Sequence, residues 1–166
     1  MKVLVTGAGG FIGSRLAKKL ILEGHEVYGT IHDSPSQVEG MQIINADLTN
    51  SYDVISKSNY IILPGVGSFD ICITSLRELR IDKAIYNALE NGSKLLGICV
   101  GMQILSTYGY EYGKSNGLDI IKGNVERMDK QGCDLKLPHI GWNQIEIVRD
   151  SKISKDIENK HRFCVK

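Results

Sequence analysis

The stretch Lys2-Val3-Leu4-Val5-Thr6-Gly7-Ala8-Gly9-Gly10-Phe11-Ile12-Gly13 passes from a short apolar run through a glycine-rich turn into a helical pattern. Val3 to Val5 are uniformly apolar, as in a strand buried on both faces of a parallel sheet. Residues 11–23 then show helical periodicity, with Ile12, Leu16, Leu20 and Ile21 on one side. A strand, a glycine turn and a helix in that order open a β-α-β unit. Working outward, strands are expected at 26–31, 41–45, 60–63 and 94–98. A short helix is expected at 50–58, a helical region at 75–91 broken near residues 80–82, and a further helix from Met102. This alternation predicts an α/β fold, a doubly wound parallel sheet with strand order 3-2-1-4-5. Beyond Tyr108 the chain turns to short, glycine-punctuated pieces. They predict a small antiparallel C-terminal extension, pairing 124–128 with 144–148.

Composition agrees with one compact folding unit. A chain of 166 residues buries roughly 70% of its unfolded surface on folding. With 42% hydrophobic and 23% charged residues, disorder is excluded. A net charge of +1 supplies no field that would recruit nucleic acid. Cys72, Cys99, Cys133 and Cys164 are too far apart for a C-x-x-C motif, so no metal site is expected. No apolar run has the length of a membrane span or the form of a signal peptide. The expectation is a soluble, cytoplasmic chain with reduced thiols and no membrane or nucleic-acid partner.

Two turns carry chemistry. In the first, Gly7 permits a tight turn, Gly10 lets a pyrophosphate approach the backbone, and Gly13 lets helix and strand pack closely. The helix start favours an anionic phosphate. The plainer reading is a glycine-rich turn with no ligand. Val5-Thr6-Gly7-Ala8-Gly9-Gly10-Phe11-Ile12-Gly13, followed by Gly24-His25-Glu26-Val27-Tyr28-Gly29-Thr30 and Asp47-Leu48, resembles the extended short-chain dehydrogenases, the nucleotide-sugar epimerases and dehydratases. The resemblance covers residues 1–54 and implies a dinucleotide-binding half. Gly7, Gly10, Gly13, Asp33, Asp47 and Leu48 would be its cofactor contacts. Ile31 stands where that family places the acid for a ribose hydroxyl, so Asp33 would have to reach instead, and the choice between NAD and NADP stays open. Only weak binding of either is expected. Tyr110 and Lys114 match the Tyr-x-x-x-Lys spacing of the family but lie in a glycine-rich loop, where they would not share a helix face.

In the second turn, Gly97-Ile98-Cys99-Val100-Gly101 follows a strand and precedes a helix, the nucleophile-elbow pattern with Cys in place of Ser. The glycines allow a sharp turn that exposes the sulfur. The helix start favours the thiolate, and the Val100 N–H can face an oxyanion. The plainer reading is a packed cysteine at a strand end. Leu63-Pro64-Gly65-Val66-Gly67-Ser68-Phe69, Leu96-Gly97-Ile98-Cys99-Val100-Gly101-Met102-Gln103, Gly117-Leu118-Asp119-Ile120-Ile121-Lys122-Gly123 and Pro138-His139-Ile140-Gly141-Trp142-Asn143-Gln144 resemble class I glutamine amidotransferases. More narrowly, they resemble the glutaminase subunit of imidazole glycerol phosphate synthase, a family of histidine biosynthesis.

That resemblance covers residues 55–166. It implies glutamine as substrate, Cys99 as nucleophile, and the Val66 and Val100 N–H groups as oxyanion donors. Gly65 and Gln103 would hold the glutamine, which is hydrolysed to deliver ammonia to a synthase (cyclase) subunit. His139, Gly141, Trp142 and Asn143 would face that partner. The His and Glu of the family's triad have no counterpart before Lys166, and His161 is an improbable substitute base. The expectation is therefore a catalytically incomplete chain, with a dehydrogenase-type front (1–54) and a glutaminase-type back (55–166) joined in one continuous sheet.

Overall fold

The computed structural model describes residues 1–31, 38–44, 48–139, 141–144, 146–149, 151, 154–155, 157 and 162–165, with 48–51 and 162–165 described by their backbone alone. The chain divides into two compact units, Met1–Arg127 and Met128–Lys166.

The first unit is built on a five-stranded parallel sheet in the order β3-β2-β1-β4-β5, the order expected. Its strands are β1 (Lys2–Val5), β2 (Glu26–Thr30), β3 (Gln42–Ile44), β4 (Tyr60–Gly65) and β5 (Lys94–Cys99). Strands from both sides of residue 54 thus share one sheet, and the β1 and β5 turns leave it at the same carboxyl edge. On one face Leu4, Ile61 and Leu63 pack against Ile55, Phe69, Ile73, Ile85 and Ile104. That layer comes from α2 (Leu48–Ser56), α3 (Phe69–Glu78), α4 (Ile81–Glu90) and the segment after β5. On the other face Val3, Val5, Val27 and Ile62 meet Ala17 of α1 (Phe11–Leu22). There α1 packs over β1 and β2.

Several boundaries move for identifiable reasons. Helix α1 rests on its two smallest residues, Gly13 and Ala17, which are buried, so Leu16, Leu20 and Ile21 line the contact while Ile12 turns outward and is exposed. Strand β4 runs on through Pro64 and Gly65, which pair with Ile98 and Cys99. Proline is tolerated there because β1 has already left the ladder, its last bond being Thr6 N–H to the Ile62 carbonyl at 3.0 Å. The helical region begins at Phe69, not at 75. Its break is Arg80, in the left-handed conformation with φ 53° between α3 and α4.

The helix after β5, expected from Met102, is the single turn α5 (Val100–Gln103). Among the described residues the strands of this region pair otherwise than the expected 124–128 with 144–148. β8 (Ile121–Val125) pairs in parallel with β6 (Ser106–Gly109), which also holds β7 (Ser115–Asn116). The nearer segment wins, and the Tyr110 N–H bond to the Val125 carbonyl (2.9 Å) locks it. In the second unit β9 (Gly141–Gln144) pairs antiparallel with β10 (Arg162–Val165), after a 3-10 turn at Met128–Gln131. No helix among the described residues is long and apolar enough to cross a membrane.

Candidate active site

Strand β5 ends in Cys99, whose backbone has φ 59° and ψ −126°. That conformation lies outside the left-handed helical well that non-glycine residues occasionally visit. Tight packing around the turn holds it. A Cβ on Gly101 would collide with the Leu63 carbonyl, and one on Gly97 would come within 2.6 Å of the Met102 Cα. The two flanking glycines are therefore steric requirements of the elbow, and they press α5 onto β4 and β5. Val100 is buried beneath the turn, while the Cys99 thiol is exposed.

The β4–β5 register sets the remaining geometry. Gly65 is the direct partner of Cys99, so Val66 and Val100 each leave the sheet one residue past a pair about 4.8 Å apart. Val66 is 87% exposed. Val100 is the first residue of α5, so its N–H has no intrahelical acceptor. Gln103 lies half-buried, one turn further along the same short helix. Sequence reasoning expected this helix to start at Met102. With four residues, α5 has almost no macrodipole, and support for negative charge falls to the local N–H groups of Val100 and Gly101.

Three residues that sequence reasoning passed over also converge here. Cys72, on the first turn of α3, is half-buried, and its Sγ lies 4.0 Å from the Val66 carbonyl. Its thiol is pushed up by burial, then by the charges of Asp70, Glu111 and Cys99. Glu111 Oε2 accepts the Phe69 N–H at 2.9 Å, tying the 110–114 loop to the start of α3. Asp70 accepts the Ser68 hydroxyl at 2.5 Å, which holds its carboxyl below the usual range. No local motif marks these residues, because loop and helix meet only in the folded chain. The Tyr110–Lys114 segment is non-helical, as expected, and the Lys114 ammonium sits 3.8 Å from the centre of the Tyr108 ring.

At the other turn, Gly7 has φ 60°. Its N–H donates to Thr30 Oγ1 at 3.2 Å, the Ala8 N–H to the Thr30 carbonyl at 2.9 Å, and the Gly10 N–H to the Gly7 carbonyl at 3.0 Å. A Cβ on Gly13 would collide with the Gly7 carbonyl and reach within 2.9 Å of the Ala8 Cα. Asp33 and Asp47 lie outside the described residues, as does the side chain of Leu48 at the start of α2. In the second unit, Asn143 Nδ2 and His139 Nε2 are 2.8 Å apart, Gly141 opens β9, and Trp142 is exposed. His161 lies outside the described residues.

Comparison with known proteins separates the two turns. Residues 3–62 match the NAD dependent epimerase/dehydratase family, and residues 36–136 match the CobB/CobQ-like glutamine amidotransferase domain. Imidazole glycerol phosphate synthase subunit HisH 1 of Campylobacter jejuni is 35% identical over 136 residues, 81% of this chain and 67% of the relative. The chain belongs to the glutamine amidotransferase family, and to its HisH type. The HisH subunits of Pelagibacter ubique and Aquifex aeolicus are 40% and 34% identical, over 74% and 78% of this chain. The chain spans about three-fifths of those relatives, 60% and 61% of their lengths. The two family matches overlap over residues 36–62, across β3, α2 and β4.

Proposed function

We propose that this HisH-type chain carries the thiol half of a glutamine-hydrolysing site whose ammonia passes to a synthase partner. The strained, exposed Cys99 at the end of β5 carries the reading. Its sulfur attacks the glutamine amide carbon, the C–N bond breaks, and a glutamyl thioester and ammonia result. The Val66 and Val100 N–H groups flank the position where the oxyanion develops. Gly65 and Gln103 contact the glutamine, and the Asp70 and Glu111 carboxylates complement its α-ammonium. The S–H proton of Cys99 ends on the leaving nitrogen, so thiol and amide give thioester and ammonia in balance. His139, Gly141, Trp142 and Asn143 form the surface offered to the synthase subunit.

The test reads the thiol and not turnover. At neutral pH, iodoacetamide is expected to modify Cys99 at least ten-fold faster than Cys72, with glutamine protecting Cys99. Cys72 should become reactive only above the ordinary thiol range, because its pKa is raised. Peptide mapping after timed quenching measures both rates. Equal rates at the two cysteines, with no protection by glutamine, would refute the assignment.

The first turn supports a second, weaker reading as a dinucleotide contact. The amides of Gly7, Ala8 and Gly10 are already used within the turn. Those of Phe11 and Ile12, which open α1, are left without intrahelical acceptors for a pyrophosphate. NAD or NADP would bring redox chemistry to the edge that holds Cys99.

A further inference from the structure

Cys72 and Cys99 both border the exposed turn at Val66 and Gly67. Cys99 pairs with Gly65 in the β4–β5 register, and Val66 and Gly67 follow directly. Cys72 approaches those residues from α3. Its Sγ lies 4.0 Å from the Val66 carbonyl, and a Cβ on Gly67 would sit 3.6 Å from it. That is ordinary contact distance, and what favours glycine at position 67 is its φ of 132°.

We propose that Cys72 is a resolving thiol for Cys99, so that a peroxide converts the pair to a Cys72–Cys99 disulfide across the Val66–Gly67 turn. The inference rests on Cys99 being the nucleophile. In the first step the Cys99 thiolate attacks one peroxide oxygen, the O–O bond breaks and hydroxide leaves. Cys99 is thereby oxidised by two electrons to a sulfenic acid, and the peroxide is reduced. In the second step the Cys72 sulfur attacks the Cys99 sulfur, an S–S bond forms, the S–O bond breaks, and water leaves with the Cys72 proton.

The order follows from the surroundings. Cys99 is exposed and meets the oxidant first, whereas Cys72 is half-buried, and burial, then the Asp70 and Glu111 carboxylates, push its thiol up. A disulfide needs Cα atoms within about 7 Å, and the cross-linking below tests whether the two cysteines meet this across the exposed Val66–Gly67 turn. Closure removes the nucleophile reversibly and shields it from irreversible over-oxidation.

The experiment treats the full chain with one equivalent of hydrogen peroxide, with and without dimedone, then counts thiols and maps peptides. Titratable thiols should fall from the four cysteines of the sequence to two, with a Cys72–Cys99 cross-linked peptide that dithiothreitol cleaves. In Cys72→Ser, dimedone labelling of Cys99 should rise at least ten-fold over the parent. Equal labelling in both chains, or pairing of Cys99 with Cys133 or Cys164, overturns the proposal. If Cys99 still alkylates selectively, only the resolving role fails. If Cys99 is neither alkylated selectively nor oxidised, the nucleophile assignment fails with it.

Discussion

The turns after β1 and β5 leave the same edge of one sheet, and both place a residue at nearly the same φ, 60° at Gly7 and 59° at Cys99. At Gly7 that angle costs little, since glycine has no Cβ to clash. The turn feeds a helix of 12 residues, and its amides are largely used internally. At Cys99 a side chain occupies a conformation that costs of order 1–3 kcal/mol, and the helix that follows has four residues. The first turn is relaxed and serves as a packing joint. The second is strained and keeps its sulfur in the open. A positive φ alone does not make this distinction, for Arg80 and Asp119 share it. Arg80, with ψ 21°, rests in the left-handed helical region and separates two helices, whereas the ψ of Cys99 is −126°.

The comparison breaks most directly at Gly101. In Gly101→Ala the new methyl meets the Leu63 carbonyl, a backbone atom that cannot swing aside, so a loss of about 3 kcal/mol or more is expected. Urea denaturation of the two chains measures it. A loss below about 1 kcal/mol would mean that α5 does not press on β4. Next in size, Cys99→Gly should stabilise the fold by about 1 kcal/mol, the released strain less the extra backbone entropy of glycine. A destabilised Cys99→Gly chain would show that the angle is not strained. The smallest effect concerns the relaxed turn. Titration calorimetry with NAD and with NADP should find binding weaker than micromolar, less than about 8 kcal/mol. A tighter constant would show that the Phe11 and Ile12 amides have strong additional partners.

Much of this was legible in the residues. The apolar runs at Val3–Val5 and Ile61–Leu63 gave the buried strands, and glycine spacing located both turns and the Cys99 elbow. The order 3-2-1-4-5 followed from the crossover rules of such sheets. Helix faces were less legible: Ile12 matched the period, but Gly13 and Ala17 set the line of closest approach, and small residues do not register in a hydrophobic pattern. The lengths of α5 and the pairing of β8 were out of reach, because both depend on where β6 comes to lie. The Cys72–Glu111–Asp70 surroundings of the site were invisible for a similar reason: Glu111 meets the start of α3 across 42 positions of sequence.

The ladder between β1 and β4, Val3 to Tyr60 through Val5 to Ile62, is made of main-chain groups and so has no memory of the side chains that flank it. Helix α2, on which the two family matches overlap, enters the core through Ile55 and packs on α4. A segment exchanged at this helix would leave the hydrogen bonds of the sheet untouched and require refitting at a few apolar contacts. Such an exchange would leave the carboxyl edge, with the Gly7 and Cys99 turns on it, in place.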